Sequence, residues 1–204
     1  PLNVTLVASS MPLWMLALGR LFFNAPVRRA QLAGALLSML GVATVLARGE
    51  PAQLLRLHLV PGDLYMLAAT LSWAWYSWLL TRHAEPEPIR QDWAAFLLAQ
   101  VVFGLGWSGL MTGAEWALTP AHIQWGWPLA LALVFIAIGP AVVAYRCWGL
   151  GVQRAGPALA GFFSNLTPLF AAVLSAAFLG EPPRLFHAVA FALIVAGIVV
   201  SSRR

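Results

Sequence analysis

Long apolar runs separated by short polar connectors dominate the pattern of this chain. Seven runs can be read, over residues 2–23, 30–47, 63–81, 93–112, 127–149, 157–179 and 185–202. Most are close to the ~20 residues that a helix needs to cross a bilayer, whereas membrane barrel strands are about half that length and alternate in polarity. The pattern predicts an all-α fold, a polytopic transmembrane helix bundle with about seven spans.

The first and last pairs of runs have matching sequences. Residues 1–47 align with residues 157–203 without a gap, which places Pro12 on Pro168. Duplicated pairs of apolar helices are a common basis of secondary transporters. Each run comes five positions before its counterpart in the order of runs, and this offset is odd. The two copies are therefore expected to cross the membrane in opposite directions.

Composition supports a membrane protein and sets its orientation. Hydrophobic residues make up 61% of the chain and charged residues 9%. All twelve basic residues are Arg, so the lysine that a retinal Schiff base requires is missing. The net charge of +5 lies mostly between the spans, where arginines signal topology rather than nucleic-acid binding. The arginine bias places the C-terminal Arg203 and Arg204 in the cytoplasm.

Polar residues precede a proline at equivalent places in the two copies. Ser9 and Ser10 come before Pro12, and Asn165 comes before Pro168. Each proline removes a backbone hydrogen bond and leaves a carbonyl for a neighbour, water or ligand. Two interpretations remain open, a simple kink satisfied by its own hydroxyl side chains and a shared binding centre.

Two further groups in the apolar runs are candidates for contact with a ligand. Trp73 and Tyr76 lie on one face of the third run, where they could form a pocket wall or simply fill space between helices. Arg146, near the inner end of the fifth run, could reach the interface or clamp a carboxylate or phosphate. Acidic residues lie only at the ends of runs, so the sequence gives no support for proton coupling.

Catalytic signatures are absent from the sequence. It has no zinc-binding His-Glu-x-x-His, nucleophile elbow or phosphate-binding loop, so we expect no enzyme and no cofactor or metal. Several glycines fit close helix packing instead. They are Gly34, Gly41, Gly104, Gly106, Gly109, Gly113 and Gly197.

Several short motifs resemble the drug/metabolite transporter superfamily, specifically its EamA-type ten-helix members. They are Gly62-Asp63-Leu64 followed by Ser72-Trp73-Ala74-Trp75-Tyr76, then Asn165-Leu166-Thr167-Pro168 with Leu179-Gly180-Glu181, and Ala196-Gly197-Ile198. The first copy departs from the family pattern, since it has Asn24-Ala25-Pro26 where Gly-Glu is usual.

The resemblance implies two inverted five-helix repeats in the full protein, with the first three helices missing from this chain. Residues 1–48 would be helices four and five, residues 49–62 the linker between repeats, and residues 63–204 the second repeat. It also implies a central cavity. The implied substrate-binding residues are Ser9, Ser10, Trp73, Tyr76, Arg146 and Asn165, with Pro12 and Pro168 as structural residues.

The function expected from the resemblance is that of a secondary transporter. It would export or exchange a small metabolite, amino acid or drug-like compound by alternating access, in the bacterial inner membrane and with a cytoplasmic C-terminus. Its partners would be a small-molecule substrate and the lipid bilayer, with no nucleic acid, and its state either a monomer or a homodimer. A membrane scaffold or sensor subunit without flux and an enzyme acting on lipid remain as alternatives.

Overall fold

Helices form nearly all of the structure, a computed structural model that describes residues 2–50, 52, 54, 60–82, 86–120, 123–180 and 184–202. The all-α prediction is confirmed, since these residues include no strand. The helices are α1 (Leu2–Ser9), α2 (Met11–Phe22), α3 (Arg29–Leu46), α4 (Pro61–Leu79), α5 (Glu87–Gln91), α6 (Trp93–Leu118), α7 (Trp127–Ile136), a π-helical segment (Ala137–Ala144), α8 (Tyr145–Ala155), α9 (Pro157–Ser164), α10 (Thr167–Leu179) and α11 (Leu185–Ser202).

Six stretches of the described residues are long and apolar enough to cross a membrane. They are Asn3–Phe22, Arg29–Leu46, Trp93–Leu118, Trp127–Ala155, Pro157–Leu179 and Leu185–Ser202. The remaining predicted run, 63–81, is also helical as α4, but Asp63 and its many hydroxyl and indole groups make it less apolar than the other six. That α4 spans the membrane stays a prediction.

The chain forms two compact units, one of Pro1–Arg82 with Gly151–Arg204 and one of His83–Leu150. The first unit combines helices from both sequence copies, because α3 packs on α11 and α2 packs on α9. Packing therefore divides the chain differently from the predicted repeats. The repeat boundaries at residues 48 and 63 stay predictions, and part of the linker between them lies outside the described residues.

The second unit consists of long helices with apolar surfaces. Asp92 caps α6, where its carboxylate accepts hydrogen bonds from the N–H groups of Ala94 at 2.9 Å and Ala95 at 3.4 Å. Neither α6 nor α7 contains a buried residue. The π-helical segment contains Pro140, whose missing N–H is a common cause of a local change in helix geometry. Such exposed apolar surface suits contact with lipid chains.

In the first unit, α3 and α11 are the equivalent helices of the two copies, and they pack antiparallel at very short range. A Cβ atom built on Gly34 would lie 2.5 Å from the carbonyl oxygen of Gly197, and one built on Gly41 would lie 2.9 Å from that of Ala190. Positions increase along one helix as they decrease along the other. The antiparallel direction is the one that inverted copies require.

The contacts between these two helices are related by the sequence alignment itself. A shift of 156 residues carries Gly34 to Ala190 and Gly41 to Gly197, so the pair 34–197 becomes the pair 190–41. Both pairs are in contact. The helix pair therefore has a local two-fold pseudosymmetry. Exchanging the two copies reproduces the same contacts.

The glycine predictions have two outcomes. Gly34, Gly41 and Gly197 do allow close helix approach, because a Cβ at each would collide with the opposite backbone. For the glycines of α6 the described residues show no such packing. A Cβ at Gly104, Gly106, Gly109 or Gly113 would meet no described residue within 4 Å. Small residues in an apolar run do not reveal by themselves which helix has a partner.

We expect Gly34→Ala to destabilise the full-length protein, because the new methyl group would press on the backbone at Gly197. Overpacking of this kind costs about 1–3 kcal/mol. Thermal unfolding in detergent, followed by tryptophan fluorescence, measures the effect.

Gly104→Ala is the matched control. It adds the same methyl group on α6, where there is open space, and alanine favours a helix over glycine by up to about 1 kcal/mol. Equal losses of stability in the two variants would contradict the close approach of α3 and α11.

Candidate functional site

The two sequence copies have the same interruption in their first helix. Ser10 separates α1 from α2, and Asn165 with Leu166 separates α9 from α10. Pro12 and Pro168 lie in the first turn of α2 and of α10, positions that tolerate the missing proline N–H. The structure thus has two broken helices, with the breaks at equivalent positions.

The backbone hydrogen bonds at the two breaks also match. The N–H of Leu13 donates to the carbonyl of Ser10 at 2.9 Å, and the N–H of Leu169 donates to that of Leu166 at 3.0 Å. A regular helix would direct the Leu13 N–H to Ser9 instead. The Ser9 carbonyl is thereby available to a group outside its own helix.

The Asn165 side chain forms a hydrogen bond with that carbonyl and so joins the two copies at their breaks. Its Nδ2 donates to the Ser9 carbonyl at 3.2 Å and to the Ser38 hydroxyl on α3 at 2.8 Å. Ser9 and Asn165 are equivalent positions in the alignment, so this bond lies where the copies meet. Asn165 is only 2% exposed. Because a carbonyl can only accept, the amide orientation follows from the chemistry.

Ser38 is a site residue that the sequence reading missed. It is fully buried in the middle of α3, and it is the hydroxyl partner of Asn165. A single serine within an apolar run is a weak signal, because its hydroxyl can bond to its own helix backbone. Only the packing of α3 against the break in the second copy gives Ser38 this role.

A cavity of about 270 Å³ opens beside the two breaks. Its lining is mostly apolar, with a few hydroxyl groups and the Asn165 amide: Val4, Thr5, Ala8, Ser9, Met11, Val42, Ser164, Asn165, Thr167 and Pro168. We call it the break pocket. Among the described residues no donor reaches Asn165 Oδ1, so the amide still offers an acceptor. The pocket combines a mostly apolar wall with a few polar groups, among them the Asn165 amide oxygen, as small-molecule sites often do.

Three predicted site residues, Ser9, Asn165 and the structural Pro168, line the break pocket, whereas Ser10, Trp73 and Tyr76 do not. The Ser10 hydroxyl donates to the Val7 carbonyl at 2.6 Å and accepts from the Trp14 indole at 3.0 Å. It therefore supports the break in its own helix. Trp73 and Tyr76 are half-buried on α4, with ring centroids 5.4 Å apart.

Arg146 belongs to the second compact unit and is exposed on α8. Its guanidinium lies 4.9 Å from the centroid of the Trp93 ring, a cation–π contact within that unit. The contact gives Arg146 a protein partner, and its predicted role in substrate binding stays a prediction.

Asp63 forms a second buried polar junction, between α4 and the first copy. Its Oδ2 accepts from Asn3 Nδ2 at 2.7 Å and from the Val60 N–H at 2.9 Å, so it both caps α4 and ties it to α1. Asp63 is 5% exposed, and its Oδ1 has no hydrogen-bond partner among the described residues. Glu181, the acid at the end of the sixth run, lies outside the described residues.

The two helices broken at equivalent positions, the antiparallel packing of α3 on α11 and the break pocket form an arrangement typical of secondary transporters. The sequence profile of the EamA-like transporter family matches residues 60–203. The chain belongs to this family. The EamA chain is thus a multi-pass membrane protein of a transporter family, as its resemblance to the drug/metabolite transporter superfamily implied.

Individual relatives agree with the family. The chain is 28% identical over 203 residues to "Aromatic amino acid exporter YddG" of Ancylobacter novellus, covering 99% of this chain and 67% of that protein. It is 27% identical over 203 residues to "Probable amino-acid metabolite efflux pump" of Salmonella typhimurium, covering 97% and 66%. A solved crystal structure matches 99% of this chain and 66% of its own, with a TM-score of 0.74 and 25% identity. The chain therefore spans about two thirds of these relatives.

We expect Asn165→Leu to lower the thermal stability of the EamA protein, because it removes both donors and leaves the buried Ser38 hydroxyl and Ser9 carbonyl without their partner. Unsatisfied buried groups cost about 1–3 kcal/mol each. Thermal unfolding in nanodiscs measures the loss.

Ser38→Ala should cost less, since Asn165 keeps its bond to Ser9. Ser202→Ala is the control, because its hydroxyl is exposed and bonds only to the Val199 carbonyl of its own helix. A larger loss for Ser38→Ala than for Asn165→Leu would contradict the order of these bonds.

Proposed function

We propose that the full protein is a secondary transporter that exports or exchanges a small amphipathic metabolite by alternating access. The observation that carries the proposal is the hydrogen-bonded contact between two helices broken at equivalent positions, with the break pocket beside it. Freed backbone groups at such breaks can bind a solute without exposing polar atoms to lipid. The inner membrane as location and a cytoplasmic C-terminus are part of this proposal.

The chemistry of the break pocket supports a substrate with an apolar body and a hydrogen-bond donor. Val4, Ala8 and Val42 supply apolar wall, and Asn165 Oδ1 supplies the acceptor. An amino acid with a large apolar side chain has both features. The names of two relatives, an aromatic amino acid exporter and a probable amino-acid metabolite efflux pump, point to the same class.

The two-fold pseudosymmetry of α3 and α11 supports the mechanism. An interface whose two halves make equivalent contacts can rock in either direction at similar cost, so inward-open and outward-open states can exchange. Trp73, Tyr76 and Arg146 are proposed to contact the substrate in states other than the one seen, as a monomer or homodimer carries it across.

We expect Ala8→Phe to abolish flux while the protein stays folded, because the ring would occupy the break pocket. The test uses the full-length protein in proteoliposomes loaded with radiolabelled amino acids, and it measures the initial rate of release. Circular dichroism and thermal unfolding check the fold.

Ala33→Phe is the control, since Ala33 is exposed on α3 and does not line the pocket. Flux that survives Ala8→Phe would overturn the pocket assignment. If the unmodified protein moved none of the amino acids or amphipathic amines tested, the scaffold or sensor alternative would be favoured.

A further inference from the structure

A second cavity, of about 430 Å³, lies at the end of the antiparallel pair where α3 finishes and α11 begins. Val45 and Arg48 come from the end of α3, Pro168 from α10, and Arg184 and His187 from the start of α11. We call it the basic pocket. The end of α3, the start of α11 and one side of α10 line it, so the cavity is built by the fold rather than by one loop.

The described residues around the basic pocket provide cationic and hydrogen-bond donor groups and no carboxylate. Arg48 and Arg184 contribute two guanidinium groups. His187 Nδ1 accepts the Arg184 N–H at 3.0 Å, so the neutral ring carries its proton on Nε2 as a donor. The positive end of α11 adds to the same field. This set of donors favours an anion.

The backbone at Arg48 gives independent support. Its φ is +50°, in the left-handed region that ends helices, and Gly49 follows with φ +80°. An L-residue with a Cβ pays about 1–2 kcal/mol there, which is why glycine or asparagine is usual. Non-glycine residues in strained conformations cluster at functional sites. An arginine in this place brings a guanidinium to the pocket rim.

The opposite end of the helix pair has an equivalent cavity of about 250 Å³. The 156-residue shift carries Arg28 to Arg184 and Gln31 to His187. Gln31 Oε1 accepts the Arg28 N–H at 2.9 Å, as His187 accepts that of Arg184. Helices of 18 residues extend roughly 27 Å, so the two cavities lie near opposite faces of a bilayer.

The basic pocket also shares a wall with the break pocket, because Pro168 lines both. We propose that the basic pocket is an anion-binding mouth, which holds a carboxylate or phosphate group on the predicted outer face beside the break pocket. Two sources offer this chemistry, a soluble anion and a phospholipid headgroup. Binding of the anion stands by itself, whereas its part in transport rests on the proposed function.

The test uses the full-length protein in nanodiscs and compares Arg48→Gln with Arg184→Gln and with the double variant. One experiment measures the thermal shift with millimolar inorganic phosphate in purely zwitterionic lipid. The other measures, by native mass spectrometry, retention of phosphatidylglycerol relative to phosphatidylcholine. We expect affinity to fall about tenfold for each arginine lost, as for a charge-assisted hydrogen bond. Phosphate binding would identify a soluble anion, and lipid retention alone would identify a headgroup.

Arg29→Gln is the matched control. It removes the same charge from an exposed position at the start of α3 and does not line either cavity. The proposal is overturned if the unmodified protein binds neither probe, or if Arg29→Gln weakens binding as much as the pocket variants do. Anion binding without amino-acid flux would keep the mouth and reject the transport proposal. Flux without anion binding would keep the transport proposal and reject the anion-binding mouth.

Discussion

The close antiparallel packing of α3 on α11 is the constraint on which the rest of the first unit depends. In a membrane, apolar side chains gain little by leaving lipid for protein, so helix association relies on van der Waals contact and internal hydrogen bonds. Gly34, Gly41 and Gly197 have no Cβ, so the two backbones come closer than any larger residue at these positions would permit. With the helices this close, the Ser38 hydroxyl lies 2.8 Å from Asn165 Nδ2, and the two broken helices are brought together.

The pairing of the buried polar groups in the first unit is also a consequence of the apolar surroundings. An unsatisfied carbonyl or amide in hydrocarbon costs several kcal/mol, so a broken helix survives only where another part of the protein pairs its free groups. The Asn165 amide does this for the Ser9 carbonyl, and the Trp78 indole donates in a similar way to the Met15 carbonyl at 2.8 Å. Both bonds join distant parts of the sequence. The Asn165 bond also joins two residues of the break-pocket wall, which has few polar atoms of its own.

The sequence predicted the helices, the repeat and the position of the breaks, because each depends on a local or periodic signal. Proline at residues 12 and 168 is such a signal, and both helices are interrupted just before it. The sequence could not predict the role of Ser38, because that role depends on which helix lies opposite α3. The glycines of α6 show the same limit, since α6 is as rich in glycine as α3, but no other helix of the described part of the chain approaches them. The basic pocket was also missed, because Arg48 and Arg184 read as connector charges until folding brings them together.

The pseudosymmetry of the α3–α11 contact also bears on how such a protein can arise. Two identical chains inserted in opposite orientations could make this contact with each other, because each side supplies what the other receives. Once the two copies are fused into a single chain, their sequences no longer need to be identical. Ser38 and Ile194 are equivalent positions with different side chains, and only Ser38 provides a hydroxyl for Asn165. A duplicated gene can thus specialise each half separately, while the shared backbone contact keeps the halves matched.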